Sequence, residues 1–328
     1  MKRQNLGKGN QMGKSFLGLA IASLLFICPA ANAQEKFKPV IAGPYRVLFQ
    51  PARSGDAIND HTVFQDRDGN WRMIGILSKG LNLLNTPGFA HGVGSSLNAE
   101  MTELPPRFEN YPDHDRKWAP HVMVEKGVYH LYAGPGKIRH YTSPDGVNWT
   151  FQEIVIPSDW ADLRDTMVLK IADGKWLMYV TDRDNSISIF ESSDLDHWIR
   201  RGTAFHAIKP APVYPHSLDI SACESPFVVY YQGYYYLSTC LTSGIKPRSY
   251  SNTVIVRSPD PYHFGVYAQG GPGQTSDYVT TLAAHAAEYI QDLDGNWYIT
   301  SAGWRQFPTP KGAVKGALNL APLKWEKE

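Results

Sequence analysis

Residues 164–181 read RDTMVLKIADGKWLMYVT. An apolar, β-branched stretch runs into Ala-Asp-Gly-Lys, and a stretch rich in aromatic and apolar residues runs out. Such residues on both sides of a glycine turn are β-hairpin chemistry. The pattern occurs four more times: NDHTVFQDRDGNWRMIGI at 59–76, APHVMVEKGVYHLYAG at 119–134, ESPFVVYYQGYYYLSTC at 224–240 and AAEYIQDLDGNWYITSAG at 286–303. A repeat of this kind constrains the architecture before any single residue is interpreted.

Three copies are followed by a second signature, Ser-x-Asp-x-x-x-aromatic: Ser143 to Trp149, Ser192 to Trp198 and Ser258 to Phe264. The Ser and Asp oxygens of such a turn take backbone N–H groups. The aromatic four residues on can then pin the turn to the sheet. This signature falls at the third-to-fourth strand connection of a four-stranded unit. The copies are spaced by 46 to 62 residues, the size of propeller blades. The predicted fold is therefore all-β: a five-bladed β-propeller of four-stranded antiparallel blades filling residues 34–328. Residues 37–49 are expected to add a strand that closes the ring on the last blade. A large β-sandwich would not explain the regular spacing. Residues 78–116, rich in Gly, Pro and Asn, read as a lid or wall over the funnel. With 241–252, that segment is expected to shape the pocket.

Charge is nearly balanced, at a formal +1, which argues against nucleic acid as a partner. Residues 1–33 read as a signal peptide. Lys2, Arg3, Lys8 and Lys14 precede an apolar run over 16–28, and Ala31-Asn32-Ala33 forms a small-x-small cleavage site. The run is short for a membrane span. Cleavage removes four basic residues and leaves 28 against 31 acidic ones, a net of −3. The expected product is periplasmic or secreted, with no membrane insertion; its oligomeric state is not legible. Two cysteines remain, Cys223 and Cys240. If Tyr231 faces Tyr234, Cys240 lies opposite Ser225 and Cys223 sits diagonally, about 7 Å or more away. Free thiols are expected.

Aligned on the first apolar strand residue (Val63, Val168, Phe227, Tyr289), the position three earlier holds Asp60, Asp165, Glu224 and Ala286; the second copy puts Ala119 there. In a propeller the first strand of each blade lines the central channel. The three carboxylates should therefore converge on one funnel. Each alone is explained by a turn cap, but a propeller core does not require three converging carboxylates, which repel and are costly to desolvate. Glycoside hydrolysis does use such a set: an acid for the leaving oxygen, a carboxylate to activate water or attack the sugar, and a third to tune the acid. Arg164 is placed to hold Asp165 ionised. Asn59, Trp118, His121, Arg164 and His285 are candidate sugar contacts; a structural role is as ordinary for the two histidines, and Trp118 is more often core than platform. Glu288, offset by two residues, reads as channel lining or internally paired.

At these residues the chain resembles the five-bladed propeller glycosidases of glycoside hydrolase family 43 and the related family 32. Asn59-Asp60 resembles the Asn-Asp of the first-blade motif, with His61 in place of its proline. Arg164-Asp165-Thr166 resembles Arg-Asp-Pro, again without proline. Glu224-Ser225-Pro226 resembles the Glu-small-Pro of family 43, and AAHAAEYI resembles its last-blade histidine segment. The invertase pattern puts Cys after the Glu, whereas here Cys223 precedes it, and no C-terminal β-sandwich pattern follows. A family 43 likeness implies Asp60 as general base, Glu224 as general acid, Asp165 as its modulator, and inversion. A family 32 likeness implies Asp60 as nucleophile, Glu224 as acid/base, Asp165 as transition-state stabiliser, and retention. The implied substrate is a furanose-containing carbohydrate, with arabinose- or fructose-like units. No cofactor is required; the likeness leaves room for a structural calcium ion near His285. No zinc-type Cys/His cluster is present. A non-catalytic carbohydrate-binding propeller is the competing reading, although a lectin needs no acids at that phase. A sialidase-like propeller, suggested by Ser143-Pro-Asp-Gly, would need six blades and an arginine triad.

Overall fold

The computed structural model describes residues 34–79, 88–108, 117–157, 163–183, 185–208, 223–241, 252–268, 270–303, 305 and 308–328. The segment 1–33, read above as a signal peptide, and residues 242–251 lie outside them. The described strands form five sheets around a common axis, a five-bladed β-propeller with no helix among the described residues. The innermost strands are Ala57–Gln65, Trp118–Glu125, Arg164–Ala172, Cys223–Tyr231 and Tyr289–Gln291. Each pairs antiparallel with the strand after its glycine turn.

The ring closes as the sequence predicts. Phe37–Ile41 pairs antiparallel with Leu318–Lys327 as the outer strand of the last blade, and Arg46–Phe49 pairs with that same strand. The joint is aromatic: Trp325 stacks on Tyr231 at 4.2 Å. Tyr236 Oη donates to the Phe37 carbonyl at 2.9 Å. The first and last strands of the propeller thus meet in one blade, so opening the ring requires losing a paired strand as well as an apolar contact.

The Ser-x-Asp turns form as expected. Ser143 Oγ accepts the N–H of Gly146 at 2.9 Å, and Asp145 Oδ1 accepts those of Val147 and Asn148 at 2.8 Å. The aromatic that follows does more than pin its own turn. Trp149 packs on Phe64 of the preceding blade at 6.2 Å, Trp198 on Tyr132 at 5.8 Å, and Phe264 on Tyr179 at 6.2 Å. Each therefore joins its blade to the one before, a contact worth about 0.5–1.5 kcal/mol beyond the area buried.

Two details differ from the sequence reading. Phe264 draws the chain onto the third blade, so Gly265–Tyr267 pairs parallel with Ile199–Ala207 and makes that sheet five-stranded. Residues 78–116 are not simply a lid, because Phe89–Gly94 and Thr102–Arg107 are the third and fourth strands of the first blade. Their composition hides them for physical reasons. Gly92 faces Phe49, and a Cβ there would come within 2.7 Å of its ring. The prolines of TELPPR sit on the outer edge strand, the place where a missing N–H is tolerated.

Cys223 and Cys240 are free, as expected, but their register is shifted by one residue. A bulge after Glu224 puts Cys240 opposite Glu224 and Cys223 opposite Leu241. Adjacent cross-strand positions face opposite sides of the sheet, so the thiols point apart.

Candidate active site

The four longest inner strands each carry a β-bulge at the same place. Pairing skips from Ile58 to His61, Trp118 to His121, Arg164 to Met167 and Glu224 to Phe227, while the partner strand advances by only two residues. Ala119, Asp165, Ser225 and, in the last blade, Ala286 take positive φ of 44°, 55°, 54° and 47°. Non-glycine residues enter this left-handed region at a cost of about 1–3 kcal/mol each, and such residues cluster at functional sites. A bulge breaks strand alternation and re-aims side chains that would otherwise face away.

This geometry corrects the phase argument. Glu224 is the last residue before its bulge, Asp165 the first within its bulge, and Asp60 the second within its own. The three carboxylates occupy successive positions, not one. The apolar alignment misled because Val63, Val168 and Phe227 stand at different distances from their bulges. The convergence nevertheless holds. Asp60 and Asp165 line one axial cavity, together with residues from all five blades. Glu224 and Arg164 do not line it themselves but directly precede Ser225 and Asp165, which do. Arg164 Nη2 donates to Glu224 Oε2 at 3.0 Å, and its Nε lies 3.5 Å from Asp165 Oδ2. Thr181 Oγ1 donates to Asp165 Oδ2 at 3.0 Å. Ser225 completes the set: its hydroxyl donates to Asp60 Oδ1 at 2.5 Å, and its main-chain N–H to Asp165 Oδ2 at 3.2 Å. Ser225 and Thr181 escaped the sequence reading. The only local signal was the hydroxyl beside Glu224, whose partner lies 165 residues away.

Burial dominates the electrostatics. It raises the Asp60 carboxyl to about 6, assisted by the Glu224 charge and opposed by the Ser225 hydrogen bond and Arg164. Burial and the Asp60 charge raise Asp165 to about 6 against the pull of Arg164. Burial disfavours the Arg164 charge, but Asp165, Glu224 and Asp60 outweigh it and hold the guanidinium protonated. One cation thus faces three acids, and full ionisation would leave two uncompensated charges.

A carboxyl with a raised folded-state pKa binds its proton more tightly in the fold than in the unfolded chain. Its stabilisation is complete below the ordinary carboxylate range and is lost as pH rises through about 6. Asp60→Asn is therefore expected to melt at a higher temperature than the unmodified protein at pH 8, with the gain shrinking towards pH 4. Thermal melts followed by circular dichroism check this; an equal gain at both pH values refutes it.

The candidate contact residues separate into two groups. His121 lines the cavity and donates Nε2–H to the Val168 carbonyl at 3.2 Å; its Nδ1 lies 3.9 Å from Glu288 Oε1. Glu288 also lines the cavity and accepts the Val63 N–H at 3.1 Å. Asn59, His285 and Trp118 do not line it. Asn59 Oδ1 takes His285 Nε2 at 2.7 Å, and His285 Nδ1 meets Cys240 Sγ at 3.4 Å. These two residues form a buried brace between the first and last blades. Trp118 packs against the apolar cluster between the first and second blades.

Both ring nitrogens of His285 are thus engaged, and a ring nitrogen already hydrogen-bonded has no lone pair directed at an ion. Among the described residues no group of three or more His, Cys, Asp or Glu side chains is arranged to hold a metal. The imidazole in this arrangement does not fit as a direct calcium ligand.

No protein-family model matches the chain, and no curated protein matches it. Solved structures do. The native arabinanase of Bacillus subtilis aligns with a TM-score of 0.58 at 16% identity, over 83% of this chain and 94% of that one. The Cellvibrio cellulosa α-L-arabinanase complexed with arabinohexaose aligns with a TM-score of 0.58 at 15% identity, over 83% and 91%. A GH43 β-xylosidase/α-arabinofuranosidase from a compost microbial metagenome, in complex with xylotriose, aligns with a TM-score of 0.57 at 15% identity, over 88% and 95%. What the chain shares with these hydrolases at such low identity is the five-bladed propeller fold.

Proposed function

We propose that this protein is a glycoside hydrolase acting on a furanose-containing oligo- or polysaccharide, with arabinose- or fructose-like units, by an inverting mechanism. The observation that carries the reading is the convergence of three carboxylates from three different blades, Asp165 and Glu224 buried and Asp60 partly exposed, around one guanidinium beside the axial cavity. Such an arrangement costs stability, and folding alone gives no reason for it. Neighbours of the same fold hold arabinohexaose and xylotriose, which favours a glycan as the occupant.

In this reading Asp60, ionised, takes a proton from a water that attacks the anomeric carbon. Glu224 gives its proton to the glycosidic oxygen as the bond to the leaving sugar breaks. Asp165 competes with Glu224 for Arg164, and a greater share of the guanidinium for Asp165 leaves Glu224 better able to hold the proton it must donate. Because one cation cannot balance three anions, the cluster retains a proton to about pH 6, the range of the two aspartates.

A reducing-sugar screen across arabinans, fructans, xylans and aryl furanosides tests the substrate class. Release from a furanose polymer is expected, and proton NMR of the first-formed sugar should show the inverted anomer. Hydrolysis confined to pyranosides would overturn the furanose assignment. A retained anomer would make Asp60 a nucleophile. No release from any glycan would leave the carbohydrate-binding reading as the better one.

A further inference from the structure

We propose that Ser225 is the positioning residue of this site: its hydroxyl holds Oδ1 of Asp60 and its N–H holds Oδ2 of Asp165. A carboxylate from the first blade and one from the third are thereby fixed to the strand that carries Glu224. The proposal deepens the hydrolase reading and rests on it for the roles of the acids.

Two observations converge on Ser225. It sits within the fourth-blade bulge at φ 54°, the left-handed conformation that Ala119, Asp165 and Ala286 also adopt in their blades, so the backbone alone does not call for a serine there. In that conformation both of its donors serve different acids of one cavity. Its hydroxyl occupies only one oxygen of Asp60, so Oδ2 is the oxygen assigned to the water's proton. Ser225 donates both hydrogen bonds without transferring a proton.

Asp60 is surrounded by groups of both signs. Glu224 and Cys240 face it from the fourth blade and Arg164 and Asp165 from the third. His61 is its chain neighbour, and His121 and Glu288 share the cavity. Burial pushes the Cys240 thiol up to about 12, so that thiol stays neutral. The Ser225 hydrogen bond favours the ionised form of Asp60.

Ser225→Ala removes the hydroxyl and keeps the N–H. Ser225→Gly does the same while relaxing the left-handed backbone, so a folded variant is available if the alanine change disturbs the bulge. With 4-nitrophenyl α-L-arabinofuranoside, both are expected to lose about 10- to 100-fold in kcat, the range for a lost hydrogen bond to a charged group. The acid limb of the kcat/KM profile should move up by about one pH unit, because Asp60 then needs a higher pH to ionise. The loss should therefore be larger at pH 5 than at pH 8.

The Asp60 titration is read independently of substrate by carboxyl carbon-13 NMR, assigned with Asp60→Asn. A lower melting temperature with an unmoved acid limb and an unmoved Asp60 titration would mean a purely structural serine and overturn the proposal. A raised Asp60 titration without hydrolysis of any glycan would sustain the hold on Asp60 and sink the hydrolase reading instead.

Discussion

Glu224→Gln lowers kcat on a natural furanose polymer by about 10²- to 10⁴-fold, the expected loss for a missing general acid, and leaves the fold intact. The amide is isosteric, and its carbonyl still accepts the Arg164 N–H that Glu224 Oε2 receives at 3.0 Å. Only the transferable proton is lost. The defect should therefore depend on the leaving group. It should be large for a sugar alkoxide, which needs protonation, and small for 4-nitrophenolate, which leaves unaided. A variant that kept most of its rate on the polymer would refute the role of Glu224.

Asp60→Asn is expected to be as inactive, again by about 10²- to 10⁴-fold, because an amide cannot take the proton of the attacking water. This variant also separates the two stereochemical courses. If Asp60 is a base, azide or formate restores turnover with the same inverted anomer that the unmodified enzyme forms. If Asp60 is the nucleophile, the unmodified enzyme retains configuration and the rescued variant inverts it. Product NMR with and without azide distinguishes these outcomes, and a matching anomer is expected. The contrast with the predicted gain in melting temperature at pH 8 matters. A group whose removal stabilises the fold and abolishes turnover is held in place for function.

The fold was legible because blade chemistry is local. The hairpin at 164–181, the Ser-x-Asp turns and the strand of 37–41 all act over a few residues or repeat visibly. The outer strands of the first blade were not, since Gly92 answers to Phe49, a partner on another sheet. Nor was the destination of Trp149, Trp198 and Phe264, whose contacts lie one blade back. At the site, Asp60, Asp165, Glu224 and Arg164 came from reading carboxylates against the repeat. The same reading put Asn59 and His285 at the sugar, where the structure finds a buried brace between blades.

By itself, then, the sequence determined the blade count, the closing strand and the identity of the converging acids, since each is written in short-range patterns. The tertiary structure alone decided how those acids meet. Bulges shift Asp60, Asp165 and Glu224 to three different strand positions. A serine from the fourth blade then ties the first blade to the third. One inserted residue reverses which way a side chain points, and no composition or spacing records the partner it then meets.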